Sequence, residues 1–492
     1  MPTEYFEQRE RALLGSRYEE LYAPPAAQAA RGVTVSPLRM SPADFAAGAG
    51  FAVTPSPFCG AGFLVQEEDF KPGRHPWHHA GVFYSQEPSA SAAAPLLGVR
   101  PGMRVLDLCA APGGKTSQLA AALAGEGLLI ANEYVAARAE ILKSNLERMG
   151  VANAVVLNES PERIAAALPE FFDRILVDAP CSGEGMFRKE PAALAQHSEA
   201  LVAQCAALGS SILDSAAAAL APGGEIVYST CTFAPEEDEG QVAAFLARHP
   251  EFALADVMER AFAPFGSPGE ENRTGGLPLD VSLVRRIWPC QGGEGHFMAR
   301  LVKAGATDPA QRAAEEAVWL ARLQKPQPDR KSSAPKGKNR TPAGRNLRGG
   351  KPEPVPAGQM LAAWKDFAAQ FFPALADKPA VVLGESVLLP PVCPALGLHI
   401  LRAGVLAGTV QKGRFVPGHH LFTAFGKECV NTETLTRSDP RCRAYLLGQE
   451  IEAASAQDGW CCVTVDGCPL GGGKVSGGRV KNHYPKALRL LG

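Results

Sequence analysis

Three features of the chain predict an α/β fold centred on a parallel, doubly wound sheet. Short apolar strands alternate with helical segments between residues 96 and 305. The first strand runs into a small-residue turn and then a helix, in the stretch DLCAAPGGKT at 107–116. Four strands end in clusters of polar or small residues: DLCAAPGG, NE, DAPCSG and STCT. In open α/β sheets ligands bind outside the carboxyl ends of the strands, so these clusters point to one shared crevice.

The elements follow in order. PTEYFEQRERALLG predicts a helix at the start of residues 1–95, a region that also holds the loop-like TPSPFCG and FKPGRHPWHH. GMRVLDL (102–108) reads as a strand after a Pro-Gly turn, and SQLAAALAG (117–125) as a helix stopped by glycine. GLLIANE (127–133) is a strand, RAEILKSNLERMG (138–150) a helix, and NAVVLNE (153–159) and FDRILVDAP (172–180) are strands. ALVAQCAALGSSILDSAAAAL (200–220) is helical, GGEIVYSTC (223–231) a strand, and GHFMARLVK (295–303) a closing strand. Residues 306–355 open with a polar helix and continue as a stretch rich in Pro, Gly, Lys and Arg (325–354), too poor in bulky apolar residues to build a core. It reads equally as a soluble tether or as a basic arm touching phosphates. Globular composition resumes in a C-terminal domain at 356–430 and in a terminal part, 431–492, rich in Gly, Cys and Lys.

The totals agree with a multidomain globular protein. The 492 residues are too many for one core, and 46% apolar with 20% charged residues is ordinary for soluble chains. No run of about 18 uncharged apolar residues suggests a membrane span, and the charged start lacks a signal-peptide core. A cytoplasmic protein without a membrane partner is expected. The net charge of -2 announces no global nucleic-acid affinity, although a local basic patch remains compatible with it. Twelve cysteines stand without a CxxC pair, so no metal site is expected, and in a cytosolic protein they are free thiols.

Gly114-Lys115-Thr116 is the ending of a phosphate-binding loop. That loop requires a glycine five residues before Gly114, where this chain has Cys109, and Pro112 removes one N–H from the cradle. The stretch reads better as the strand–turn–helix entry of a Rossmann-like nucleoside site. Gly113 and Gly114 let the backbone approach a bulky ligand, and Glu133, at the end of the next strand, can bind ribose hydroxyls. Methyltransferases and dehydrogenases share this layout.

DAPCSGEGMFRK (178–189) and YSTCTF (228–233) narrow the choice. Each places a cysteine just past a strand end on the ligand face. A single such cysteine reads as a small buried thiol; two, with Asp178 and Pro180 ahead of Cys181, favour chemistry.

These motifs resemble the Sun-type family of RNA cytosine-5 methyltransferases, and in particular the RsmF-type enzymes of 16S ribosomal RNA. DLCAAPGGKT resembles the family's cofactor motif, and DAPCSG and STCT its two cysteine motifs. GRHPWHHAGVFYSQEPSA (73–90), RIWPCQGGEGHFMARL (286–301) and GKVSGGRVKNHYPKALR (473–489) extend the likeness over nearly the whole chain. The resemblance implies a Rossmann-like class I methyltransferase domain (96–305), an N-terminal α+β RNA-recognition domain (1–95) and a C-terminal PUA-like α+β region (431–492). It also implies S-adenosyl-L-methionine as cofactor, a monomer, and RNA (ribosomal RNA or a small-subunit particle) as partner. Residues Cys109, Ala110, Ala111, Pro112, Gly113, Gly114 and Lys115, with Glu133 and Asp178, would surround the cofactor. Glu159 would lie near the adenine, with Asn158 as the competing residue. Cys231 would be the nucleophile that adds to carbon 6 of cytosine. Cys181 would serve elimination, and Asp178 the edge of the base near ring nitrogen 3. DNA cytosine-5 methyltransferases would instead use the Pro-Cys residue, Cys181, but lack the second cysteine. A transfer RNA substrate, or a catalytically silent RNA-binding assembly factor, are the alternative readings.

Other residues stay open. Arg188 and Lys189 suit phosphates or plain solvation. His75, His78 and His79 suit a structural or RNA-facing loop. Lys481, Asn482, His483 and Tyr484 could meet RNA, although a tyrosine in a small domain is often core. Thr34 and Ser36 stand where the family usually shows an Arg-x-Asn stretch, so recognition by the N-terminal part is expected to differ.

Overall fold

The structure, a computed structural model, describes residues 2–25, 28–324 and 355–490; the basic stretch 325–354, read above as tether or arm, lies outside them. The central sheet is built from β1 (Arg104–Asp107), β2 (Leu128–Asn132), β3 (Ala154–Leu157), β4 (Phe172–Asp178) and β5 (Leu220–Thr230), all parallel. Four further strands complete it: β6 (Phe252–Ala255), β7 (Arg285–Ile287), β8 (His296–Lys303) and β9 (Ile400–Ala403). Their order is β6-β8-β5-β4-β1-β2-β3-β9, with β7 paired to β8. β8 runs antiparallel between β5 and β6. The strand order reverses between β1 and β4, which opens a crevice at their carboxyl ends.

Both sheet faces are covered, as a parallel sheet requires. The period-2 alternation is visible within β1. Val105 packs with Leu119, Leu123, Leu142 and Leu146 on one face, while Leu106 packs with Ile212, Leu213 and Ala216 on the other. The helices responsible are α1 (Gly114–Leu123), α2 (Ala136–Met149) and α3 (Glu199–Ala219). α3 is long and apolar enough to cross a membrane by length and composition. Its Ile212, Leu213, Ala216 and Ala217 are buried in the core beneath the sheet.

The remaining segments clasp this core. In the N-terminal region Val53–Pro55, Gly62–Val65, Gly32–Val35 and Phe83–Gln86 form a four-stranded antiparallel sheet. Thr34 and Ser36 are buried there, each 4% exposed, so neither presents its side chain to a large ligand. Val33, Phe45 and Trp77 share one apolar cluster with Tyr445, Val463, Val480 and Tyr484 of the C-terminal five-stranded sheet. The three histidines are part of that joint. His75 accepts from Trp77 N, His79 bridges Gly73 O and the Tyr484 hydroxyl, and His78 O accepts from Arg148. Burial lowers His75 to about 4 and His78 to about 2, so both are neutral. Tyr484 is core, and Asn482 spends its amide on Tyr445 O and Gln449 O.

The first helix, Glu4–Leu14, docks on the α/β body through charge. Glu10 and Arg273 are both fully buried, with Arg273 Nη2 2.5 Å from Glu10 Oε2. Tyr22 and Arg9 donate to the same carboxylate. Removing one partner of such a pair strands the other charge, at a cost of about 3–5 kcal/mol. Glu10→Ala should therefore lower the unfolding free energy by that order, read as a lower urea midpoint at unchanged slope, and expose the first helix to limited proteolysis. An unchanged midpoint would mean that the pair does not anchor it.

Candidate functional site

The crevice above the β1/β4 switch is a cavity of about 840 Å³, ample for a nucleoside-sized ligand. Its wall includes Cys109, Ala111, Glu133, Asp178, Cys181 and Cys231. β1 delivers the chain to the turn 108–113, where the Ala111–Pro112 peptide is cis and Gly113 takes φ +112°. A β-carbon at Gly113 would stand 3.2 Å from Leu142 Cδ1, in a backbone conformation that L side chains rarely adopt. The turn is held by Ala110 N donating to Asn132 O, Arg138 donating to Ala111 O and Asn145 donating to Pro112 O. Behind it lies Asp107. Thr116 donates to its Oδ2, while Oδ1 is buried without a partner. Burial raises this carboxyl to about 7, against the Thr116 bond.

Glu133, at the end of β2, accepts from Val135 N and pairs with Arg138 at 3.3 Å, leaving its carboxylate on the cavity wall. Glu159 has a different place from the expected one. Its Oε1 accepts from His399 N at 2.6 Å and its Oε2 meets Arg163 at 2.9 Å, so the carboxylate is spent on the segment leading into β9. Ser160, Pro161 and Glu162 form the cavity wall there. Asn158 is likewise committed, to Glu133 O and Tyr134 O.

The reactive groups meet at the ends of β4 and β5. Asp178 lies opposite Ser229 in the ladder and accepts from its hydroxyl at 2.8 Å. Lys115 Nζ donates to the other Asp178 oxygen at 2.7 Å. Burial acts to raise the Asp178 carboxyl, but Lys115 and the two hydrogen bonds outweigh it and hold it below its ordinary value. Burial likewise acts to lower Lys115, and Asp178 outweighs it and raises that ammonium. The pair is therefore charged at neutral pH. Cys181 Sγ and Cys231 Sγ are 3.4 Å apart. The bond to Cys231, with burial, holds the Cys181 thiol well above its ordinary range, so Cys181 keeps its proton. Burial pushes Cys109 well up too, which makes it an inert wall residue.

The sequence reading did not single out Ser229, Asn132, Glu237 or His296. Asn132 donates to Leu108 O and Glu159 O, tying the three strand ends together. Glu237 accepts from Ser182 N beside Cys181. His296 is 2% exposed, with Nε2 3.8 Å from Asp178 Oδ1. Ser229, Asn132 and His296 were legible in principle, because they lie inside the quoted STCT, NE and GHFMARLVK stretches; Glu237 carried no local signal.

The comparisons with known proteins agree with this geometry. The model for "16S rRNA methyltransferase RsmB/F" matches residues 94–302. Those for the RsmF N-terminal domain, first C-terminal domain and PUA domain match 1–88, 366–425 and 432–490. A ribosomal RNA small subunit methyltransferase F of Cronobacter sakazakii is 39% identical over 57% of this chain, which spans 58% of that relative. One from Klebsiella pneumoniae is 32% identical over 93% of this chain and 90% of its own length. A methyltransferase homologue of Pyrococcus horikoshii superposes with a TM-score of 0.53, at 29% identity, over 61% of this chain and 95% of its own. Fold and crevice thus define a class I methyltransferase dependent on S-adenosylmethionine. The chain belongs to the RsmF-type family of ribosomal RNA small-subunit methyltransferases.

The crevice suits that cofactor: the backbone and small side chains of Cys109 and Ala111 line it, and an acid stands at the end of β2. Forcing a β-carbon onto Gly113 costs about 1–3 kcal/mol of strain in the turn. Gly113→Ala should therefore weaken S-adenosylmethionine binding about tenfold in calorimetry. Wild-type affinity in a folded variant would contradict the placement of this turn against the cofactor.

Proposed function

We propose that the protein methylates carbon 5 of cytosine in 16S ribosomal RNA through a covalent cysteine–cytosine adduct. The observation that carries this reading is the pair of sulfurs 3.4 Å apart on one cavity wall with Asp178, whose charge Lys115 holds. Carbon 5 of cytosine is a weak nucleophile. The Cys231 thiolate adds to carbon 6, and the ring becomes an enamine whose carbon 5 can take a methyl group. The cofactor supplies that methyl. Asp178, ionised, faces the base edge and stabilises ring nitrogen 3 once it has taken a proton from water, which it gives back after elimination. Lys115 and Ser229 fix its two oxygens. After transfer a base removes the hydrogen from carbon 5, and the carbon 6–sulfur bond breaks to return Cys231. Cys181, protonated and in contact with Cys231 Sγ, donates a hydrogen bond to the departing thiolate and so eases its release. The base must leave its stack to reach this cavity, so the target is single-stranded or flipped.

Cys231→Ala should abolish both methylation and adduct, whereas Cys181→Ala should accumulate an RNA–protein adduct on denaturing gels. The reverse outcome would exchange the two roles. Bisulfite sequencing of total RNA, with and without the gene, should lose a mark in 16S ribosomal RNA; a mark lost in transfer RNA would move the substrate class.

A further inference from the structure

A second cavity, of about 270 Å³, lies on the opposite side of the loop that carries Cys181. Gly183 and Met186 face the first cavity, and Glu184, Gly185 and Phe187 face the second. The second is lined by aromatic rings from three parts of the chain: Phe6, Tyr18, Tyr22, Phe187 and Phe233. One wall is Glu294, whose side chain is 2% exposed. Its Oε1 accepts from Ala30 N at 2.7 Å and from Arg188 Nη1 at 3.3 Å. Its Oε2 is buried and has no hydrogen-bond partner. A buried carboxylate oxygen left without a donor costs free energy comparable to a lost charged hydrogen bond, so a donor from outside is expected.

The floor of this cavity is joined to the reactive cysteine. Gly185 N donates to Cys231 O at 2.9 Å. A β-carbon on Gly185 would lie 3.0 Å from the carbonyl oxygens of Cys231, Glu294 and Gly295. The cavity floor and the peptide that holds Cys231 are therefore closely packed on one another.

We infer that this cavity is a subsite for one base flanking the target cytosine, and that it selects a base whose exocyclic amino group donates to Glu294 Oε2. The inference rests on the RNA substrate proposed above. Three properties support it. Aromatic rings take single-stranded bases by stacking. A carboxylate accepts only N–H or O–H and repels phosphate, so the ligand is the base rather than the backbone. The cavity adjoins the loop over which a flipped cytosine would lie. Adenine and cytosine present an amino group, whereas uracil and hypoxanthine present a carbonyl at the matching position.

Glu294→Gln gives a reading that a structural role would not. Ala30 N still requires an acceptor, so the amide oxygen takes the Oε1 place and the amide N–H₂ the Oε2 place. The polarity facing the cavity reverses. The test uses RNA fragments around the methylated cytosine, each flanking position carrying adenosine or inosine, or cytidine or uridine. For the wild type, kcat/KM should favour the amino base about tenfold at one position. Glu294→Gln should favour the carbonyl base there. Leu194→Trp, which fills the cavity from its partly exposed rim, should erase the preference while the melting temperature holds. An identical preference in wild type and Glu294→Gln, or no amino preference at any flanking position, would overturn the subsite while leaving the methyltransferase reading intact. Fragments that the wild type leaves unmethylated would overturn both.

Discussion

The site depends on the parallel pairing of β4 with β5, in the register that sets Asp178 beside Ser229. β4 ends at that rung and β5 one residue beyond it, and the loops that follow bring Cys181 and Cys231 into sulfur contact. A slip of one residue would turn Ser229 to the other face and separate the sulfurs. The same register gives Asp178 a hydroxyl donor on one oxygen and leaves the other for Lys115. Lys115 arrives from the first turn of α1, so the cofactor turn and the cysteine loops are joined by a single ion pair. Parallel strands have no wet face, which is why Val, Ile, Leu and Ala fill both sides of β1 to β5.

The loop carrying Cys181 is braced from outside the methyltransferase body. Glu184 accepts from Arg9 of the first helix, from His197 and from Phe233 N. Burial works against its charge, yet these partners overcome it and bring the carboxyl down to about 2. Buried ion pairs are an expensive route to stability, and apolar packing would often serve as well. What this one supplies is position: a fixed carboxylate on which both cysteine loops are hung. The N-terminal region thus acts as scaffold for the chemistry through Arg9, whatever it also does toward RNA.

Much of this was legible because chemistry confines residue types to strand ends. Cys109 and Ala111 of the turn, Glu133, Asp178 and the two later cysteines line the crevice where the alternation of strands and helices puts the strand ends; Ala110 and residues 112–115 do not line it. The missing P-loop glycine at Cys109 was a sound reason to set aside nucleotide hydrolysis. The limits were equally physical. Glu159 stands at the end of β3 as an adenine-side acid should, but its fate is decided by His399 N, 240 residues away in sequence. No local pattern announces such a partner. The histidines of 75–79 read in sequence as a structural or RNA-facing loop, and only Tyr484 and Arg148, distant in sequence, assign them to a joint between modules. His296 and Glu294 sit in a glycine-flanked turn and strand end whose meaning comes only from what faces them.

The strand Ile400–Ala403 gives the sheet a property tied to the order of synthesis. It pairs antiparallel with β3, and His399 N with the Glu159 carboxylate completes that edge. Everything else in the central sheet has been translated by Lys303. A nascent chain at that point presents β3 as a bare edge, with its N–H and C=O groups available to any passing strand. Nearly a hundred more residues must leave the ribosome before the chain can cover it. A prematurely released product would carry all three cysteines of the crevice and still expose a sticky margin. In this protein the final third is the element that finishes the enzyme's own sheet, and a clean separation into independent modules ends at β3.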